Sequence, residues 1–391
     1  MTLDCVPKYQ YLGLWFEDDA TPPHKKPLRG ALATALGKAR GAMRELLARS
    51  AKIKLHNTNA LGHLFDTLVR SVASAGCEVW GVDHVSKVCN TRDGPDFGKG
   101  QAETIHYSFW QQMWGLPKST ARWPLLREAG ERQPFNVFWL RMAAKLWNKG
   151  VLRSPGDWLA GAVRENVSVH EMASRAEASL LWSGHFTACL RCLGIDWKRA
   201  DGSLMQVNVN DLVRVAMDRW QSRHPSPPPE ADWLQLPLSV RAAPQEFSSG
   251  FVHFKHGRWF QTPGGFARFH SALYHLDRPR DIQAVMRFRL GAAKLAVNEG
   301  RFGCRRNRHE RTCPCCQGGV EDELHLWECP IYASARTKHP SLCTEPAGGW
   351  TDQVFCTRLN GKTKQDWIEL ARFLRECETV RSDFINALCP P

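Results

Sequence analysis

The strongest constraint on how this 391-residue chain can fold is a short run of cysteine and histidine near its carboxy-terminal end. Cys313 and Cys316 are separated by two residues, and His325 and Cys329 return an imidazole and another thiol at about one helical turn. Zinc favours four tetrahedral nitrogen and sulfur ligands, and three thiolates with one imidazole make one of its closed structural sets. Eight residues join the two ligand pairs, so the loop closes at small entropic cost. Such a site supplies folding free energy on the order of 10 kcal/mol. Its closed shell leaves no position for a substrate water, so a structural Zn2+ on Cys313, Cys316, His325 and Cys329 is expected. Cys315 could replace Cys313 or Cys316 as ligand, and Cys304, His309 and Cys343 lie close enough in sequence to compete. The 14 cysteines are neither dense nor evenly spaced. With no secretory signal at the amino terminus, reduced thiols and an intracellular protein of the nucleus and/or cytoplasm are expected.

Apolar residues recur mostly at helical spacing. Leu32, Leu36, Ala39, Met43, Leu46 and Leu47 define one amphipathic helix, and Leu61, Leu64, Phe65, Leu68, Val69 and Val72 define a second. Residues 88–101 read as a loop, and Phe109, Met113, Trp114 and Leu116 as a helix ended by Pro117. Phe135, Phe138, Trp139, Met142, Leu146 and Trp147 make another apolar face whose aromatics belong to a core. Helical patterns cover 171–193, 209–220 and 281–296. Residues 8–16, rich in aromatic and branched side chains, predict one strand, and 251–262 predict a hairpin. The proline-rich stretch 222–230 is the best linker.

The expected fold is therefore mainly α, with a short amino-terminal strand, a small β-hairpin and a carboxy-terminal zinc knuckle. Its expected segments are 1–115, 116–222 (a helical connector), 223–302 (linker, hairpin and basic helix), 303–345 (knuckle) and 346–391 (a helical tail). No apolar run reaches the roughly 20 residues that span a bilayer.

The formal charge of +13 points to a polyanionic partner. Between His24 and Lys54, nine Lys/Arg face one acid, Glu45; between Arg278 and Arg311, ten face three. A solvated face normally mixes signs, so both stretches are candidates for phosphate contact, and the second runs directly into the knuckle. Glu321, Asp322 and Glu323 precede the ligand helix, where acids suit the helix dipole.

Several motifs, taken in order, resemble the carboxy-terminal half of reverse transcriptases from non-LTR (LINE-type) retrotransposons. Tyr11-Leu12-Gly13 is similar to the family's primer-grip strand. Leu64-Phe-Asp-Thr-Leu-Val through Gly76-Cys-Glu-Val-Trp-Gly resembles the helical thumb. Trp114-Gly-Leu-Pro-Lys-Ser-Thr and Glu128-Ala-Gly resemble the segment beyond it. Arg287-Phe-Arg-Leu-Gly, Gly300-Arg-Phe, Arg311-Thr-Cys-Pro-Cys-Cys, Glu321-Asp-Glu-Leu-His and Glu328-Cys-Pro-Ile-Tyr resemble the terminal knuckle with its basic lead-in.

The resemblance implies weakly sequence-selective binding of RNA and/or DNA, with a separately encoded reverse transcriptase palm as a further expected partner and no membrane. The residues expected at nucleic acid are Tyr11, Gly13, Lys38, Arg40, Arg44, Arg287, Arg289, Arg301, Arg305, Arg306, Arg308 and Arg311. The family's catalytic palm precedes the Tyr-Leu-Gly strand, and polymerisation needs metal ions clamped by palm aspartates. Phe16-Glu-Asp-Asp spells the family's catalytic signature but follows that strand, so Glu17, Asp18 and Asp19 read as a polar loop. The family's alternative Pro-Asp nuclease has no counterpart in 330–391. A non-catalytic fragment that holds nucleic acid is thus expected, the alternative being a zinc-stapled protein-interaction scaffold.

Overall fold

A computed structural model describes residues 8–11, 14–17, 29–91, 94–129, 133–154, 156–174, 181–222, 276, 278–296, 298, 311–345, 352–360 and 363–388. The 222–230 linker beyond Ser222, the 251–262 hairpin, Gly13, Asp18, Asp19, Arg301, Arg305, Arg306, Arg308, Cys304 and His309 lie outside them.

Two short strands, β1 (Lys8–Tyr11) and β2 (Leu14–Glu17), open the described chain. Helices follow: α1 (Arg29–Lys52), α2 (Thr58–Leu64), a π-helical segment (Phe65–Arg70), α3 (Ser71–Ala73), α4 (Cys77–Cys89), α5 (Gln101–Met113), α6 (Arg122–Glu128) and α7 (Phe135–Leu152). Then come α8 (Trp158–Met172), α9 (Trp182–Leu193), α10 (Val209–Ser222), α11 (Pro279–Arg289), α12 (His325–Glu328), α13 (Ala333–Lys338), α14 (Pro340–Cys343), α15 (Asp352–Leu359) and α16 (Lys364–Leu388). The protein is mainly helical, and no helix among the described residues is long and apolar enough to cross a membrane.

Three expected elements are corrected. The single strand over 8–16 is an antiparallel pair, with Lys8 opposite Glu17 and Tyr11 opposite Leu14. The helix expected over 281–296 stops at Arg289: Gly291 takes φ +62°, its N–H bonds to Phe288 O and that of Ala292 to Arg287 O. This left-handed cap suits glycine, which has no Cβ to clash. The pattern over 171–193 is also interrupted, since α8 ends at Met172 and α9 starts at Trp182.

The chain packs as two compact units. Unit 1 comprises residues 1–49, 63–106 and 133–223; unit 2 comprises 50–62, 107–132 and 224–391.

In unit 1, α4 packs against α7 and α9. Trp80 and Trp139 meet edge to face at 4.8 Å, and Trp147, Trp182 and Phe186 form a second aromatic cluster. Buried indoles need partners for their N–H groups. Trp139 donates to Ser74 Oγ, Trp147 to Met205 O and Trp182 to Glu78 O. At Gly150 a Cβ would come within 2.5 Å of Val163, so glycine permits the close approach of α7 to α8.

A buried carboxyl holds the start of α7 to α5. Glu103 is fully buried; its Oε1 accepts from Asn136 N at 3.1 Å, and Asn136 Nδ2 donates to Phe97 O and Lys99 O. Burial pushes the Glu103 carboxyl up to about 8, against the opposing pull of the Asn136 N–H and Arg70. The folded chain therefore binds a proton that the unfolded chain releases near the ordinary carboxylate pKa. This contribution is complete below that value and is lost as pH rises through about 8. We expect the urea midpoint to fall from pH 5 to pH 8 and the Glu103→Gln variant to show a shallower fall. Parallel pH profiles for the two proteins would reject this assignment.

Candidate metal centre and the basic lead-in

The knuckle begins on a tight turn. Cys313 N donates to Gly319 O and Gln317 N to Cys313 O, while Thr312 bridges Val320 in antiparallel fashion. Gln317 takes φ +52°, which brings the chain round so that Gly318 N points at Cys316 Sγ, 3.4 Å away. Asp322 Oδ1 accepts from Leu324 N and His325 N and so holds the turn that leads into the four-residue helix α12. His325 opens α12 and Cys329 follows it, with Cys329 N bonded to His325 O.

The donor atoms of Cys313, Cys316, His325 and Cys329 all lie within 4.8 Å of one another. Cys313 Sγ and Cys329 Sγ are 3.9 Å apart, and Cys316 Sγ and His325 Nε2 3.3 Å. Bond lengths of about 2.3 Å to sulfur and 2.0–2.1 Å to nitrogen give tetrahedral edges of about 3.8 and 3.5 Å. The four side chains thus fit a structural metal of the zinc type, which would cross-link the turn to α12. Cys315 stands outside this group, as does Cys343. Burial pushes the Cys329 thiol up to about 12. Cys316 is held below its ordinary value because the Gly318 N–H and the Cys329 and Cys313 thiols outweigh its burial.

The sequence carries no visible signal for what holds the knuckle to the helices. Glu321 is fully buried; its Oε1 accepts from Arg381 Nε at 2.8 Å and Tyr332 OH at 3.2 Å. Its Oε2 accepts from Arg381 Nη2 at 3.0 Å and Ala296 N at 2.7 Å. Burial, then the Glu321 charge, raises the Tyr332 hydroxyl and keeps it a donor. Arg336 Nη1 donates to Leu326 O and Cys329 O. On α12 itself, Trp327 packs against Phe288 of α11, Phe355 of α15 and Phe373 of α16.

Of the lead-in arginines expected at nucleic acid, Arg289 and Arg311 lie in the interior and Arg287 is half-buried. Arg289, 3% exposed, donates through Nε and Nη2 to Glu128 Oε1 and through Nη1 to Asn360 Oδ1. It also lies over the Trp367 ring. Its place at a phosphate is corrected, because its donors are consumed inside the protein. Arg311, 4% exposed, is corrected on the same ground of burial. Arg287 is half-buried and donates to Gly115 O at 3.1 Å, with Glu378 3.5 Å away. By contrast Lys38, Arg40 and Arg44 are exposed on α1. Tyr11 is placed at the end of β1, with its Cα opposite Leu14.

The structure also brings together Ser86, His185 and Asp83, a set not evident in the sequence. Ser86 Oγ lies 2.8 Å from His185 Nδ1, and His185 Nε2 3.3 Å from Asp83 Oδ1. Ser86 is 4% exposed, and its hydroxyl also reaches Asp83 O. A nucleophile needs access to substrate, so this constellation is a clamp between α4 and α9.

Comparison with protein-family models, with curated proteins and with solved structures found no match for the chain.

Metal removal should loosen the knuckle: the Cys316→Ser variant is expected to lose bound zinc and to melt below the wild type. Equal zinc content in both proteins would exclude this ligand set. Glu321→Gln leaves Arg381 buried without its charge partner and should cost about 3–5 kcal/mol of unfolding free energy. Urea denaturation measures it, and a change within about 0.5 kcal/mol, the usual range for a surface substitution, would show that the pair does not hold the knuckle in place.

Proposed function

We propose that this protein holds nucleic acid without catalysing chemistry on it, as a zinc-stapled portion similar to the tail of non-LTR retrotransposon reverse transcriptases. The observation that carries this reading is the solvent face of α1. Ala31, Ala35, Leu36, Ala39, Met43 and Leu46 are buried, while Lys38, Arg40, Arg44, Arg49 and Lys52 are exposed. The one acid there, Glu45, is paired with Arg49 at 2.5 Å. A helix of 24 residues is about 36 Å long, close to one turn of a DNA duplex. Cations spread along that length follow a phosphate backbone without reading sequence.

A second reading, a protein-interaction scaffold, is favoured by the withdrawal of Arg289 and Arg311 into the interior. On that reading the knuckle is a folding staple alone.

Fluorescence anisotropy with labelled duplex DNA and single-stranded RNA, from 50 to 200 mM salt, separates the two. We expect binding that weakens steeply with salt. Replacing Lys38, Arg40 and Arg44 with glutamine should reduce the log–log salt slope on duplex DNA by about 2–3, near 0.9 per lost contact. Absence of binding to either nucleic acid at 50 mM salt would overturn the proposal in favour of the scaffold.

A further inference from the structure

A tryptophan that the core does not use stands at the turn between α7 and α8. Trp80, Trp110, Trp139 and Trp147 are fully buried, whereas Trp158 is 77% exposed. Asp157 holds the turn on which it sits. Its Oδ1 accepts from Leu159 N and Ala160 N at the start of α8, and its Oδ2 accepts from Arg153 Nη1 at 2.8 Å. Arg153 is thereby tied to the residue preceding the indole, yet its side chain stays 46% exposed. Leu152, the last residue of α7, is 67% exposed on the same turn.

The helix leading into this turn is cationic. Arg141, Lys145 and Lys149 follow one another at intervals of four along α7, which has no acid in its 18 residues. Lys145 and Lys149 are exposed, and Arg141 is half-buried. Gly150 of α7 meets Val163 of α8. Turning about 100° per residue from that contact brings Lys149 and Trp158 to the same side of the helix pair. Of the nearby acids, Asp157 is taken up by the turn, and Glu165 lies about two helical turns beyond Trp158.

An open indole beside a row of cations calls for a partner that is both anionic and flat. Phosphates alone would leave the indole idle, and an apolar protein surface would leave the lysines unmatched. A duplex offers phosphates but keeps its base faces stacked, whereas a single strand offers both. We propose that Trp158, Lys145, Lys149 and Arg153 form a stacking platform for single-stranded nucleic acid. One base lies on the indole, and the adjoining phosphates meet the cations. This rests on the reading that the chain holds nucleic acid, and it adds a strand preference that the solvent face of α1 does not supply. Every base has a π-face, so the platform selects strandedness rather than sequence.

The test uses the full chain and the anisotropy of a labelled single-stranded oligonucleotide and of a duplex containing the same sequence, at about 50 mM salt. Trp158→Ala is expected to weaken single-strand binding about fivefold or more, the low end for one stacked base, and to leave duplex binding within about twofold. Trp158→Phe, which keeps an aromatic face, should restore most of the loss. Replacing Lys145 and Lys149 with glutamine should lower the log–log salt slope on the single strand by about 1.4. Circular dichroism of each variant checks that the helices persist. Single-strand binding unchanged by Trp158→Ala would overturn the platform, as would an equal loss on the duplex or a Phe variant as weak as the Ala variant. Binding to phosphatidylserine vesicles that needs Trp158, with single-strand binding unaffected, would also overturn it and make the patch a membrane contact. Wild-type protein that binds neither strand form defeats the nucleic-acid reading itself. Duplex binding that responds to the α1 substitutions, beside single-strand binding indifferent to Trp158→Ala, defeats the platform alone.

Discussion

Glu321 brings a carboxylate into a place with no solvent exposure, and the second unit is organised around how that group is met. Both oxygens are engaged: Arg381 spans them, Tyr332 donates to one and the backbone N–H of Ala296 to the other. A buried ion pair contributes little net stability over an apolar pair of the same shape, but losing one partner is costly. Such a pair therefore fixes position more than it adds free energy. It sets the knuckle turn against α16 and against the chain leaving α11 in one register. Trp327 then fills a space between aromatics of α11, α15 and α16.

Helical period and metal-ligand spacing were legible in the sequence, because both are local. The ligand quartet could be named from two short spacings, and the structure brings those four donors together while leaving Cys315 aside. Most helices were likewise announced by apolar residues three and four apart. The strand over 8–16 was misread because a pair of four-residue strands and one longer strand share the same composition. The helix over 281–296 was overextended because its apolar spacing outlasts the cap at Gly291.

What could not be read is the use of a charge. Arg40 and Arg289 look alike in a composition window, yet Arg40 faces solvent and Arg289 is buried on Glu128, 161 residues away in the chain. The same holds for Asp322 and Glu321, adjacent acids with different duties. One holds the turn into α12 and the other enters the interior. Period predicts which side of a helix is apolar, but a charged residue at the margin can turn either way. Its direction depends on whether a partner arrives from a distant segment. The basic lead-in thus sends Arg289 and Arg311 into the interior, whereas Lys38, Arg40 and Arg44 of α1 face solvent.

Helix α12 is only one turn long, with one ligand at its first residue, another just past its last, and Trp327 between them. A helix that short has no stability of its own. It exists because its ends can be tied to a metal while its middle is tied to a hydrophobic core. The knuckle is accordingly not a bead that could be cut out and carried to another protein. Excised, it would expose an indole and strand a carboxylate. The transferable part is no smaller than the second unit, which includes residues 107–132 and with them Glu128, the buried partner of Arg289, and any insertion, fusion or rearrangement that respects only the cysteine spacing would divide it through its core.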